Sequence, residues 1–318
     1  MHEIRKAVVP AAGLGTRQYP ATAAVRKEFF PLVDRDGVTK PAIQIAVEEA
    51  LAAGVEQVCI VCDEQTERAC RRHFRAIPQE LLPRYRDKPA ALEQSRRLAE
   101  MGQRLAYARQ PERSGLGHAV WCARDVVGDE PFLVLLPDHV YLSIGPERCA
   151  ARLARAFQGR SVTALIEVGE DGLTGYGIAR GRFEDGSRTL LRVEGFLEKP
   201  DAGTARARCR VEGLREGRYL AHFGMHVFTP GILDALDEMI QSERRERGEF
   251  QLTAAQDELC RREPYSGLVM DGLRYDIGTP AGLLAAQVAL AAAGPMRRLA
   301  RWTSDEAWER LGRPHRRD

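Results

Sequence analysis

Lysine is scarce in this chain. Among 318 residues there are five, Lys6, Lys27, Lys40, Lys88 and Lys199, against forty-two arginines. Where arginine occupies nearly every cationic position, a lysine that persists marks a place suited to a compact ammonium rather than a planar fork. Lys27 and Lys199 become candidates on that ground. Long apolar runs are also missing: the longest are strand-sized or broken by charge, and the opening MHEIRK leads into one short strand rather than a signal-peptide core. No membrane partner is expected, and the cytoplasm is the expected location. Nor is there an excess of either charge. Forty-seven Lys and Arg against forty-five Asp and Glu leave +2, too balanced for the broad basic face that nucleic-acid binding relies on. The seven cysteines, at 59, 62, 70, 122, 149, 209 and 260, form no paired framework. Cys59 and Cys62 make a CxxC, but QVCIVC has the pattern of a buried strand, and no second CxxC or paired histidine completes a zinc site.

What is present is a chain with 44% hydrophobic residues, enough for a full core. KAVVP at 6–10 reads as a buried first strand, and further strand-like runs fall at 57–62, 104–108, 132–137 and 161–168. Helix-like stretches at 42–53, 117–127 and 147–158 separate them. Such alternation predicts an α/β fold with a doubly wound, mainly parallel mixed sheet. Residues 71–103, broken by Pro78, Pro83 and Pro89, read as an outer helical insertion. Strands with turns dominate 176–230, and helices return at 230–240, 250–262 and 280–293. The expected organisation is one domain over 1–295, with halves meeting near residue 145, followed by a C-terminal helical tail over 296–318.

Four short motifs carry chemistry. AAGLGTR at 11–17 follows the first strand directly; a glycine-rich loop lets backbone N–H groups close on a phosphate or a base without Cβ interference. Arg17 and Lys27 add two cations, which suits a triphosphate. The run is neither GxGxxG nor a Walker loop, so hydride transfer and P-loop ATPase chemistry lose ground. LLPD places Asp138 just past a buried strand, at the sheet edge where open α/β folds take ligands; it is either a helix cap or a hard oxygen ligand for magnesium. FLEKP ends a strand in Glu198 and Lys199, the first able to accept from sugar hydroxyls and the second to hold a phosphate. RYDIG sets Asp276 before a Gly-Thr-Pro helix start, as a cap or a second metal carboxylate.

Together with KAVVPAAGLGTRQYPAT, KEFFPLVD, QPERSGLGHAVWCARDVVGDEPFLVLLPD, GYGIA and GEFQLT, these motifs resemble, in order, the bacterial UTP–glucose-1-phosphate uridylyltransferases and, more broadly, the sugar-nucleotide pyrophosphorylases. The resemblance runs from about Lys6 to Leu290. It implies a Rossmann-like nucleotidyltransferase fold with a nucleotide half, a smaller sugar-side β extension and C-terminal helices. It also implies magnesium, UTP and a sugar 1-phosphate as partners, and a homodimer or homotetramer. By position, Ala12, Gly13 and Gly15 would meet the nucleotide, Gln110 would read the uracil edge and Gly115 would pack on the base. Arg17 and Lys27 would hold the triphosphate, and Asp138 and Asp276 the magnesium. Gly177 and Glu198 would bind sugar hydroxyls, Lys199 the sugar phosphate, and Gly224 would let the ring approach.

Several positions depart from the family pattern. Ala23 stands where a lysine is usual, Arg26 where a proline is, Met225 and His226 where Arg-Tyr is common, and Ala254 where an aspartate follows QLT; DRDGVTKP is longer than the usual turn. These departures bear on the sugar more than on the reaction. His118, His139, His222 and His226 are expected to pack or hydrogen-bond, because a phosphate oxygen that attacks near neutral pH is already ionised. A relative using dTTP or another sugar, a non-catalytic nucleotide-binding homologue, and a glycosyltransferase are the alternatives. The last would carry a DxD pair, whereas His139 and Val140 follow Asp138.

Overall fold

In the computed structural model, which describes residues 3–184, 186–299 and 301, KAVVP forms strand β1 (Lys6–Pro10). Its β-branched Val8 and Val9 are fully buried, as a strand covered on both faces requires. There follow β2 (Pro31–Val33), β3 (Thr39–Pro41), β4 (Gln57–Cys62), β5 (Leu105–Arg109), β6 (Phe132–Leu135) and β7 (His139–Ser143). The later strands are β8 (Val162–Val168), β9 (Gly177–Phe183), β10 (Leu190–Glu198), β11 (Tyr219–Phe228), β12 (Tyr265–Val269) and β13 (Gly272–Asp276).

Nine of these make one sheet, in the order β5-β4-β1-β6-β11-β8-β12-β10-β9. The first four are parallel. β11 then runs antiparallel to both β6 and β8, β12 returns to parallel beside β8, and β10 is antiparallel to β12 and β9. The expected mainly parallel sheet is thus corrected: parallel pairing dominates only the first half. Only residues 184–189 join β9 to β10, far too few for the crossover that a parallel pair needs. β11 also pairs with β9 through Leu220 and Ala221, so the sheet partly closes on itself.

Two compact units result, and they do not follow sequential halves. Of the described residues, the first takes in those up to Gly13, Val47–Leu136 and Ser143–Gly272; the second takes in Leu14–Ala46, Pro137–Leu142 and those from Leu273 onward. Pairing of β7 with β13 draws the short 137–142 segment into the second unit. The first unit's main core surrounds Val8, Val61, Phe132 and Val134, covered by residues such as Val120, Leu236 and Leu259. Cys59 lies within it, Cys62 is equally buried and neither forms a disulfide; burial pushes the Cys59 thiol up to about 12, so the CxxC is packing material.

The second unit is built around Leu32, Ile45, Val140, Leu142, Ile277 and Leu290. Its longer DRDGVTKP loop joins β2 to β3, and Lys40 holds it from beneath through Asp34 at 2.8 Å and Asp36 at 2.6 Å. Among the described residues no helix is long and apolar enough to cross a membrane. The expected helical tail falls largely outside the described residues, which end at 301.

Candidate active site

Five of the expected site residues, Gly15, Arg17, Lys27, Asp138 and Asp276, belong to the second unit. Gly15 has φ +66° and caps the tight turn Thr16–Gln18. A Cβ there would stand 3.0 Å from Thr22 and 3.3 Å from the Lys27 stem, so glycine serves both the left-handed backbone and the passage of the lysine. Lys27 reaches Asp138 Oδ2 at 2.5 Å, with side chains 15% and 14% exposed. Arg17 meets Asp276 Oδ2 at 3.1 Å.

The electrostatics follow from burial and pairing. Burial opposes charge on both Lys27 and Asp138, but the pairing outweighs it. The Lys27 ammonium sits above its ordinary pKa because of Asp138 and Glu28, while the Asp138 carboxyl is held down to about 2, chiefly by Lys27. His139, next in the chain, is pushed down to about 4 by burial and lies 3.2 Å from Arg274. A neutral ring that accepts at Nε2 and keeps its one proton on Nδ1 suits that contact, so His139 is not an imidazolium at neutral pH.

Neither aspartate is a helix cap. Asp138 leads into β7, and the helix Pro280–Ala293 is capped by Thr279, whose Oγ1 accepts from Gly282 N. Asp276 instead accepts from Gly278 N at 2.8 Å. A Cβ at Gly278 would stand 2.8 Å from Asp276 Oδ1 and 3.3 Å from Asp138 Oδ2. Both carboxylates therefore border one small space, which the Arg17 Nη2 also reaches, 2.8 Å from the same Cβ position; a pair of hard oxygen donors is the chemistry that would suit a divalent cation.

Ala12, Gly13, Gln110 and Gly115, the residues expected to receive the nucleotide, lie in the first unit. Ala11 N donates to the Val61 carbonyl at 2.7 Å and Gln110 N to that of Cys62 at 3.3 Å, so loops at the ends of β1, β4 and β5 are tied together. The Gln110 side chain is largely committed within its own loop. Its Nε2 donates to the Gly115 carbonyl at 3.0 Å and lies 3.2 Å from His118 Nδ1. Burial pushes the His118 pKa down, so the ring is neutral and Nδ1 accepts, with Nε2 turned to Cys122 Sγ at 3.9 Å. His118 Nδ1 and the Gly115 carbonyl together orient the Gln110 side-chain amide.

Gly115, at φ +110°, has a second constraint. A Cβ would come within 2.7 Å of the Phe250 carbonyl, as would one at Gly117, whose N–H donates to that same carbonyl at 2.9 Å. This contact packs SGLGHA against GEFQLT. Gly115→Ala is expected to lower stability by about 3 kcal/mol, from backbone strain plus the clash. Gly128→Ala, at φ +61° with nothing within 4 Å of the added methyl, should lose only about 1 kcal/mol. Urea unfolding of the two variants side by side measures the difference; coincident curves would contradict the Phe250 contact.

Gly177, Glu198, Lys199 and Gly224 also lie in the first unit. Glu198, the last residue of β10, is directly opposite Gly177 in β9. One carboxylate oxygen accepts from Thr253 Oγ1 at 2.6 Å, and the other lies 3.4 Å from Lys199 Nζ. Lys199 has φ +46°, and its N–H donates to the Tyr176 carbonyl at 3.0 Å. A Cβ at Gly177 would stand 3.0 Å from both His222 and Thr253. Gly224, at φ +81°, falls where the β11–β8 register shifts between His222 and His226, a bulge that needs glycine.

The departures are largely secondary to this frame. Met225 is fully buried and His226 is 2% exposed. The His226 ring joins Thr163 at 2.9 Å and Gln256 at 3.2 Å in a buried polar network with Tyr265, so both act through packing. Ala23 is exposed. Thr253 and Arg113 were not among the expected residues; the only sequence signal for either was membership of a recognisable motif.

A family model described as nucleotidyl transferase matches residues 6–293. The chain belongs to the nucleotidyl transferase family and has its α/β fold. It is 37% identical over 288 residues to the UTP–glucose-1-phosphate uridylyltransferase of Bacillus subtilis (strain 168), covering 89% of this chain and 90% of that one. To the second such uridylyltransferase of Staphylococcus saprophyticus it is 37% identical over 287 residues, covering 89% and 91%. Among solved structures, a UDP-glucose pyrophosphorylase complexed with UDP-glucose aligns with a TM-score of 0.73 at 30% identity, covering 90% of this chain and 98% of that one. A UTP-bound UGPase from Acinetobacter baumannii aligns at 0.75 and 27%, covering 95% and 99%.

Proposed function

We propose that this chain joins UTP to glucose 1-phosphate, forming UDP-glucose and releasing pyrophosphate. The observation that carries the reading is the presence, in a chain 37% identical to such uridylyltransferases over nearly its whole length, of two carboxylates, each paired with a cation.

A sugar-phosphate oxygen attacks the α-phosphorus in line. The new P–O bond forms as the bond to the β-phosphate oxygen breaks, and the electron pair leaves with pyrophosphate. No proton has to move, so no histidine is required. Arg17 and Lys27 neutralise the triphosphate, and Lys199 holds the sugar phosphate as a point charge. Ala12, Gly13, Gly15, Gly115 and Gln110 receive the nucleotide; Gly177, Glu198 and Gly224 receive the sugar. Catalysis is positioning and charge stabilisation. Asp138 and Asp276 would hold magnesium, which would supply Lewis-acid neutralisation of the phosphate oxygens. The same reading puts the enzyme in the cytoplasm as a homodimer or homotetramer.

Pyrophosphate release across a panel of nucleoside triphosphates and sugar 1-phosphates tests this, with UTP and glucose 1-phosphate expected to be fastest. Gln110 does not distinguish uracil from thymine, so dTTP is the second reading, and a faster rate with dTTP would select it. UTP binding with no pyrophosphate release for any sugar would mean a non-catalytic homologue. In the same assay Lys199→Ala should raise the KM for the sugar phosphate about 10- to 100-fold and leave that for UTP nearly unchanged. Equal losses for both substrates would remove Lys199 from the sugar-phosphate role.

A further inference from the structure

Arg113 has no part in the chemistry above, yet its guanidinium spans the ends of three strands. Its Nε donates to the Ala12 carbonyl at 3.1 Å, and Nη2 reaches Asp63 Oδ2 at 3.2 Å. Asp63 uses its other oxygen to accept from Thr66 N at 2.9 Å, capping the helix Glu64–His73. Ala12 follows β1, Asp63 follows β4 and Arg113 follows β5. These strands are neighbours and parallel, so the three residues meet at one carboxyl edge, the side of an open α/β sheet that takes ligands.

We propose that Arg113 is a positioning residue for the nucleotide, clasping the Ala12 carbonyl so that the Ala12–Gly13 backbone is held ready for base and ribose, with Asp63 as its anchor. This rests on the reading that Ala12, Gly13 and Gln110 receive the nucleotide. The clasp uses two donors of one rigid plane, which a lysine ammonium on a flexible stem does not reproduce. The Arg113 and Asp63 side chains are 48% and 28% exposed, and ion pairs that open to water contribute little to folding. Its effect therefore falls on the orientation of the loop, and so on affinity for the ligand, rather than on overall stability. Arg113 also sits in the same loop as Gln110 and Gly115, three residues after one and two before the other. One guanidinium thereby fixes the spacing between the Ala12 loop and the Gln110 loop.

The test compares Arg113→Ala, Arg113→Lys, Asp63→Asn, the Arg113→Ala/Asp63→Asn double variant and Gln110→Ala. Asparagine still caps the helix but removes the anchoring charge. UTP binding is measured by calorimetry, KM and kcat by pyrophosphate release, and stability by thermal melting. Arg113→Ala should weaken UTP binding about tenfold and raise its KM likewise, with kcat, the KM for glucose 1-phosphate and the melting temperature nearly unchanged. Arg113→Lys should not restore affinity, and the double variant should be no worse than Arg113→Ala, because the two residues act as one unit. Normal UTP affinity in Arg113→Ala, with a loss in Gln110→Ala, would overturn the clasp and leave the nucleotide reading standing. Normal affinity in both would overturn the nucleotide reading and the clasp with it. A lowered melting temperature with equal rises in both KM values would reduce Arg113 to structural support and overturn the proposal.

Discussion

Replacing Asp138 with asparagine is expected to lower kcat about a hundred- to a thousandfold, the usual loss when one group that stabilises transition-state charge is removed. Asp138 stands in the turn between β6 and β7 with Lys27 at 2.5 Å, and its carboxyl, held down to about 2, is ionised at every working pH. Asparagine keeps the size and one oxygen but removes the charge, so a hard cation loses a donor that a neutral amide replaces poorly. It also takes away the main partner of the Lys27 ammonium, whose pKa should then fall, since burial would no longer be offset. Asparagine rather than alanine is the informative change, because alanine would leave the ammonium facing a cavity. Pyrophosphate release at increasing magnesium, with circular dichroism to confirm the fold, measures the effect. A near-normal rate at saturating magnesium would show that Asp138 is not a ligand.

Glu28→Gln should act on stability, and in a pH-dependent way. Glu28 is 1% exposed, and neither carboxylate oxygen has a side-chain hydrogen-bond partner. Burial pushes its pKa up from 4.5 to about 7, although the adjacent Lys27 pulls it back. The folded chain thus binds this proton more tightly than the unfolded chain does. Its contribution is most favourable below about pH 4.5, declines as the pH rises through about 7, and is a constant penalty above that. The penalty is on the order of 3 kcal/mol. Glutamine removes it, so the variant should match the parent near pH 4.5 and exceed it at pH 8. Urea unfolding at the two pH values tests this, and a difference between variant and parent that does not change with pH would refute it.

The motifs that were legible from sequence are contiguous and chemically distinctive. AAGLGTR, LLPD and RYDIG state a glycine-rich loop after the first strand and two strand-end carboxylates in a few residues each, and the parallel half of the sheet follows from regular alternation. What sequence left open depends on contacts between distant segments. The reading of Asp276 as a helix cap is closed by Thr279, which takes the cap three residues later. The partial closure of the sheet rests on β11 meeting β9 at two residues, which no local pattern encodes. Gly115 is readable as a turn residue, but its second constraint comes from Phe250, 135 positions on. Arg113 and Asp63 lie fifty residues apart, and their pairing becomes visible only once β4 and β5 are side by side.

The small number of lysines has a practical consequence for chemical labelling. Lys27 and Lys40 are 15% and 3% exposed and locked in ion pairs. The Lys6 amine is spent on the Val127 carbonyl and Glu130. An acylating reagent therefore meets the side chains of Lys88 and Lys199 first. Lys199, 40% exposed and beside Glu198, is the one of these two proposed to hold the sugar phosphate. In most proteins amine modification yields a broad mixture; here side-chain acylation is confined mainly to two positions, and only the one at Lys199 should be shielded by sugar phosphate if the proposed function holds.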